Sequence, residues 1–154
     1  MAWRTAKRSR RGTKINVPLT RETGTLGASY FPAQNKDIVT IKRGQWVAIH
    51  SSGSGVVLAN ASSTSKPAVG VMSADTVVGA TQNVVADEVF TLTDWSEVAG
   101  TTNLQGGKVY FLSNLVNGRM TLSPTTIMGQ IAQPVGRAIS PIILEIEIGQ
   151  AVLL

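Results

Sequence analysis

The chain has 154 residues, no cysteine and a formal charge of +5 at pH 7. That length holds one well-buried core, and the missing cysteines exclude disulfides, thiolate nucleophiles and cysteine-ligated zinc. Charged residues make up only 15% of the chain, and Val, Ile, Thr, Ser and Gly take their place, which is a composition for strands and turns.

The charge is uneven. Arg4, Lys7, Arg8, Arg10, Arg11, Lys14 and Arg21 give the first 21 residues seven positive charges and no acid, leaving seven basic against nine acidic residues in the rest. Residues 1–36 lack apolar periodicity and are punctuated by Gly12, Pro18, Gly24, Gly27 and Pro32, so they are expected to form an extended basic arm. Two stretches, residues 15–19 with Ile15, Val17 and Leu19 and residues 28–31 with Tyr30 and Phe31, are apolar enough to add as short strands to the body or to a neighbour. Fully stretched, the arm reaches on the order of 100 Å.

The body is expected over residues 37–154. It opens with strands at 38–41, 45–50, 56–59 and 67–72, with the Ser- and Gly-rich residues 51–55 as a hairpin turn. One long strand follows over 84–92. Residues 94–100 carry the single helical signal, with Asp94 placed to cap the amide of Glu97 and Gly100 to end the turn. Further strands are expected at 108–112, 119–122 and 133–138, with Asn117-Gly118 as a turn. The segment 142–148 ends in strict apolar/acidic alternation, which buries one face and leaves Glu145 and Glu147 in water. The last residues, Val152, Leu153 and Leu154, are expected to be covered by the body or by a second copy.

Strand, Gly-containing hairpin, strand, loop and a Val-Gly strand occur twice. Ser51 after Val47-Ala48-Ile49 matches Ser113 after Val109-Tyr110-Phe111 at a spacing of 62, and Gly70 matches Gly136 at a spacing of 66. The expected fold is therefore all-β, a small β-barrel or β-tulip-like domain built from two related hairpin units behind an extended N-terminal arm. Such a domain has open strand edges, and association with copies of itself covers them.

Chemistry is sparse. His50 is the one histidine and sits beside Ser51 and Ser52 without a nucleophile elbow, which reads as a hydrogen-bonded strand end. Asp87 and Glu88 point to opposite faces of a strand, and Glu145 and Glu147 share the wet one. Neither Gly53-Ser54-Gly55 nor Gly106-Gly107 carries the residues of a phosphate loop. The expectation is no enzyme, no catalytic residue, no metal site and no cofactor. Trp46, Trp95, Tyr110 and Phe111 read as packing groups, whereas Trp3 beside Arg4 at the tip of the arm reads as an anchor on a partner. The basic run neutralises phosphates in a salt-sensitive, sequence-independent way, docks on an acidic protein surface, or is a solvated tail, and charge alone does not choose among the three. No window holds the roughly 18 uninterrupted apolar residues of a membrane helix, and the N-terminus lacks the apolar run of a secretory signal. A soluble protein made inside a cell, without a membrane partner, is expected.

Residues 107–113 (GKVYFLS), the Asn117-Gly118 turn, Thr121 with Pro124, and residues 135–140 (VGRAIS) resemble the β-modules of tailed-phage head decoration, or capsid cement, proteins, and Pro67 with Val69-Gly70-Val71 fits the earlier strand of that pattern. The resemblance covers about residues 42–149 and leaves the arm outside. It implies a small β-domain, commonly a homotrimer, that sits on the outer capsid surface of a virion at three-fold or quasi-three-fold sites, bridges neighbouring capsomers and is made in the host cytoplasm. The major capsid protein and copies of the chain itself would be the partners. Trp3, Arg4, Lys7, Arg8, Arg10, Arg11 and Lys14 are then expected on the capsid or another partner, and Ile15, Val17, Leu19, Tyr30, Phe31, Val152, Leu153 and Leu154 at trimer or lattice contacts. A virion nucleic-acid-binding protein and a head- or tail-fibre receptor-binding module are the alternatives.

Overall fold

The computed structural model describes residues 29–154. Strands β1 (Ser29–Gln34), β2 (Trp46–Ile49), β3 (Val56–Leu58), β4 (Gly70–Met72) and β5 (Thr81–Asp87) form one five-stranded antiparallel sheet in the order β1-β5-β4-β2-β3. Strands β6 (Val89–Thr91), β7 (Val109–Leu112), β8 (Met120–Thr121), β10 (Pro134–Ala138) and β11 (Ile143–Ile146) form a second in the order β6-β11-β10-β7-β8. The remaining strands, β9 (Ile131–Ala132) and β12 (Val152–Leu153), pair as a ribbon, and α1 (Ser96–Ala99) is a single helical turn.

The two sheet orders are one topology written twice: first, fifth, fourth, second and third strand of each unit. Register makes the equivalence residue by residue. Gly70 pairs with Val47 and Val71 with Trp46, as Gly136 pairs with Tyr110 and Arg137 with Val109. Likewise Val71 and Met72 face Val85 and Val84, as Arg137 and Ala138 face Glu145 and Leu144. The duplication in the sequence is thus a duplicated fold. The glycine match holds, but the strand match shifts by one residue, because Val47 answers to Tyr110 and Trp46 to Val109.

The strands do not make a single closed barrel. The first sheet curls until its edges touch at one parallel bridge between Asn35 and Val56, where the Lys36 amide donates to the Val56 carbonyl at 2.8 Å. No bridge joins β6 to β8 among the described residues.

Alternation of side chains explains the core. Val47, Met72 and Val84 join Ala33, Ile41, Val56 and Leu58 inside the curled first sheet. Their chain neighbours Trp46, Val71 and Val85 point the other way and pack with Tyr110, Leu112, Val135 and Leu144 of the second unit. The first sheet is therefore apolar on both faces. Each fully buried Val or Leu contributes about 1.5–3 kcal/mol, so this shared layer makes the two units one body. Hydrogen bonds cross it too: the Trp46 amide donates to the Gly118 carbonyl, that of Gly118 to Ala59, and that of Ala61 to Ser113. The buried Gln133 side chain acts as a short piece of strand, accepting from the Ala68 amide at 2.8 Å and donating to the Ala68 carbonyl at 3.0 Å.

Several expected boundaries move. Residues 29–34, expected in the arm ahead of a body starting at Asp37, belong to the first sheet and pair with β5 along their whole length. Residues 37–39 form a bend rather than a strand, since both oxygens of Asp37 are taken by backbone amides, those of Ile38 at 2.7 Å and Leu58 at 2.8 Å. The long strand expected over 84–92 breaks at Glu88, where the chain leaves the first sheet for the second. Asp94 accepts from the Ser96 amide at 2.9 Å, not from Glu97, and Gly100 ends α1 in the left-handed region at φ 75°.

Candidate interaction surface

The sequence-expected site residues fall into three groups. Trp3, Arg4, Lys7, Arg8, Arg10, Arg11, Lys14, Ile15, Val17 and Leu19 lie outside the described residues. Tyr30 and Phe31 sit on β1, an edge strand of the first sheet, where Tyr30 is 59% exposed and Phe31 packs half-buried against the cluster inside its own sheet. The C-terminal residues dock on their own body: Val152 pairs with Ala132, Leu153 with Ile131, and the Leu154 amide donates to the Gln130 carbonyl at 2.9 Å. The side chains of Val152 and Leu153 nevertheless stay exposed.

The aromatic groups have clear places. Trp46, Trp95 and Tyr110 are buried, and Phe90 meets Trp95 edge to face at 6.4 Å. The Trp95 indole donates to the Ile142 carbonyl at 3.2 Å, and the Tyr110 hydroxyl accepts from the Gln105 amide at 2.9 Å. Trp46 Nε1 is buried with no hydrogen-bond partner among the described residues. Arg43 reaches from the first unit over the Phe90 ring at 4.7 Å and donates to the Thr91 carbonyl at 3.2 Å, fastening the units together from outside.

Three surface features remain. An open groove of about 420 Å³ lies between Lys36, Ile38, His50, Ser65 and Lys66 of the first unit and Asn117 of the second. Its histidine is a strand-end residue whose Nδ1 lies 2.8 Å from Ser52 Oγ. A second groove of about 460 Å³ runs where β5 and β11 end, with Asp87 and Glu147 beside Ile146 and Ile148. The third feature is an apolar rim on the second unit. The β7–β8 turn with Leu115 and Val116, the following loop with Ile127 and Met128, and β12 are held together by Asn114 Nδ2 donating to Gln130 Oε1 at 3.0 Å and by the Gly129 amide donating to the Leu154 carbonyl at 3.0 Å. Leu115 is 84% and Met128 80% exposed.

Sequence reasoning found the C-terminal part of this rim and missed Leu115, Ile127 and Met128. The available signal was the absence of Asp, Glu, Lys and Arg from residues 120–136.

Among the described residues no three His, Cys, Asp or Glu side chains gather where they would hold a metal, and no helix is long and apolar enough to cross a membrane. No protein-family model and no curated protein matches the chain.

Proposed function

We propose that the protein is a structural virion component that decorates and cements the outer surface of a phage capsid as a homotrimer at three-fold or quasi-three-fold sites, with the basic arm as tether. The observation that carries this reading is the combination of a doubled, internally fastened β-body with large apolar side chains on its loops. A cement needs stiffness and adhesion. The resemblance of residues 42–149 to cement modules supplies the partner class, and the seven positive charges before Glu22 supply a tether for acidic patches.

Magnitudes suit the role. A contact of roughly 800 Å² per partner offers on the order of 20 kcal/mol of gross apolar burial, most of it cancelled by lost freedom and desolvation. Three arms on one trimer then act through effective concentration, so modest single contacts add to long-lived attachment.

The charge of the arm also favours a second reading, a virion protein that binds packaged nucleic acid. Salt separates the two, because phosphate binding weakens steeply with ionic strength and apolar cementing does not. The direct test is co-sedimentation with capsids. A chain lacking residues 1–21 is expected to stay folded and associated but to leave the capsid pellet, and full retention would defeat the tether.

A further inference from the structure

We infer that the apolar rim of the second unit is the surface through which copies of this chain associate. The inference takes from the reading above only that copies associate, and it does not depend on a capsid.

The first unit serves as an internal control for the second. The two units share one strand order, so their loops at equivalent positions do the same topological task. In the first unit the hairpin turn between β2 and β3 is built of Ser51, Ser52 and Ser54, and the loop after β3 carries Ser62, Ser63 and Lys66. In the second unit the equivalent turn carries Leu115 and Val116, and the equivalent loop carries Ile127 and Met128. Topology does not require these apolar residues, since the first unit makes the same connections with polar ones. Several exposed apolar side chains gathered on connections that work as well with polar ones mark a surface for a partner.

Charge selects the occupant. Residues 113–118, 120–136 and 148–154 contain no Asp, Glu, Lys or Arg, and the intervening Arg119 turns its guanidinium to the Glu97 carbonyl at 3.1 Å. Near a symmetry axis each side chain approaches its own copies, so a charged side chain there meets its like; a face without charged side chains is compatible with that geometry. An acidic or basic partner would gain nothing from such a face. The rim also ends in β12, which pairs with β9 on one side only among the described residues, leaving an open strand edge beside Leu153, itself 63% exposed.

The test is sedimentation equilibrium of the full chain over a wide concentration range, with Leu115→Glu, Met128→Glu and Leu153→Glu made singly and Val78→Glu, an exposed apolar residue of the first unit, as control. Wild type and Val78→Glu are expected to form the same oligomer, and each rim variant to weaken it at least tenfold. Far-UV circular dichroism checks folding, and Leu115→Ser and Met128→Ser give the same reading should a glutamate variant not fold. A wild type that is monomeric at every concentration, or rim variants that associate normally, would overturn the inference. Rim variants that keep the oligomer but lose capsids would give the surface to the capsid and overturn it equally. An oligomer that dissociates as expected in a protein that ignores capsids leaves the inference standing and sinks the decoration reading.

Discussion

Gly70 and Gly136 occupy the same place in two copies of one sheet: each lies on the fourth strand of its unit, and each is pressed against the fifth. A Cβ on Gly70 would stand 2.6 Å from the Val85 carbonyl oxygen and 2.6 Å from Val84 Cγ1; one on Gly136 would stand 2.8 Å from the Glu145 carbonyl oxygen. Backbone cannot move aside as a side-chain tip does. Gly70→Ala and Gly136→Ala are each expected to destabilise by about 1–3 kcal/mol, read as a lower urea midpoint at unchanged slope.

The row across the outer face of the first sheet runs Trp46, Val71, Val85, and its equivalent in the second runs Val109, Arg137, Glu145. Val71 and Val85 are buried under the second unit, whereas Arg137 is exposed. The charged pair caps the stack, as polar faces cap repeat proteins. The double variant Arg137→Val with Glu145→Val recreates the docking row, and its scattering mass is expected to grow with concentration beyond that of wild type through head-to-tail contacts.

Trp46 and Trp95 are both buried, but among the described residues only Trp95 has a partner for its indole N–H, the Ile142 carbonyl. Replacing either with Phe removes similar volume. Trp95→Phe removes one of two donors to the Ile142 carbonyl, which keeps the Leu92 amide at 3.0 Å, while Trp46→Phe removes an N–H that has no partner among the described residues. Trp95→Phe is expected to cost about 0.5–1.5 kcal/mol beyond Trp46→Phe in chemical denaturation, and equal losses would contradict the assignment.

Asp94 accepts hydrogen bonds from the backbone and then the side chain of Ser96, which hold its carboxyl below the usual range. A depressed carboxylate contributes stability that is complete above its unfolded value, about 3.9, and is lost as pH falls through the folded value. The melting-temperature gap between wild type and Asp94→Asn is therefore expected to be larger at about pH 7 and to shrink at about pH 3. A gap that widens on acidification would reverse the sign of this argument.

Much of the fold is legible in the chain. Gly, Asn and Ser clusters place the hairpins, and the spacing of Gly70 and Gly136 exposes the repeat. Even burial is partly written there. Trp46-Val47-Ala48 and Val84-Val85 are continuous apolar runs, as a strand covered on both faces requires, while Leu144-Glu145-Ile146-Glu147 alternates, as a strand with one wet face requires. Less was legible where a side chain satisfies backbone locally: Asp37 turned a strand-like stretch into a bend, a contact with Leu58 that sequence spacing does not announce.

The sequence by itself determined that this is an all-β, twofold-repeated protein, because alternation and turn chemistry act between near neighbours. Only the tertiary structure decided which loops share a surface. Leu115, Met128 and Leu153 lie far apart along the chain, and hydrogen bonds from Asn114 to Gln130 and from Gly129 to Leu154 bring their segments together. Long-range contacts of that kind leave no period in the sequence to read.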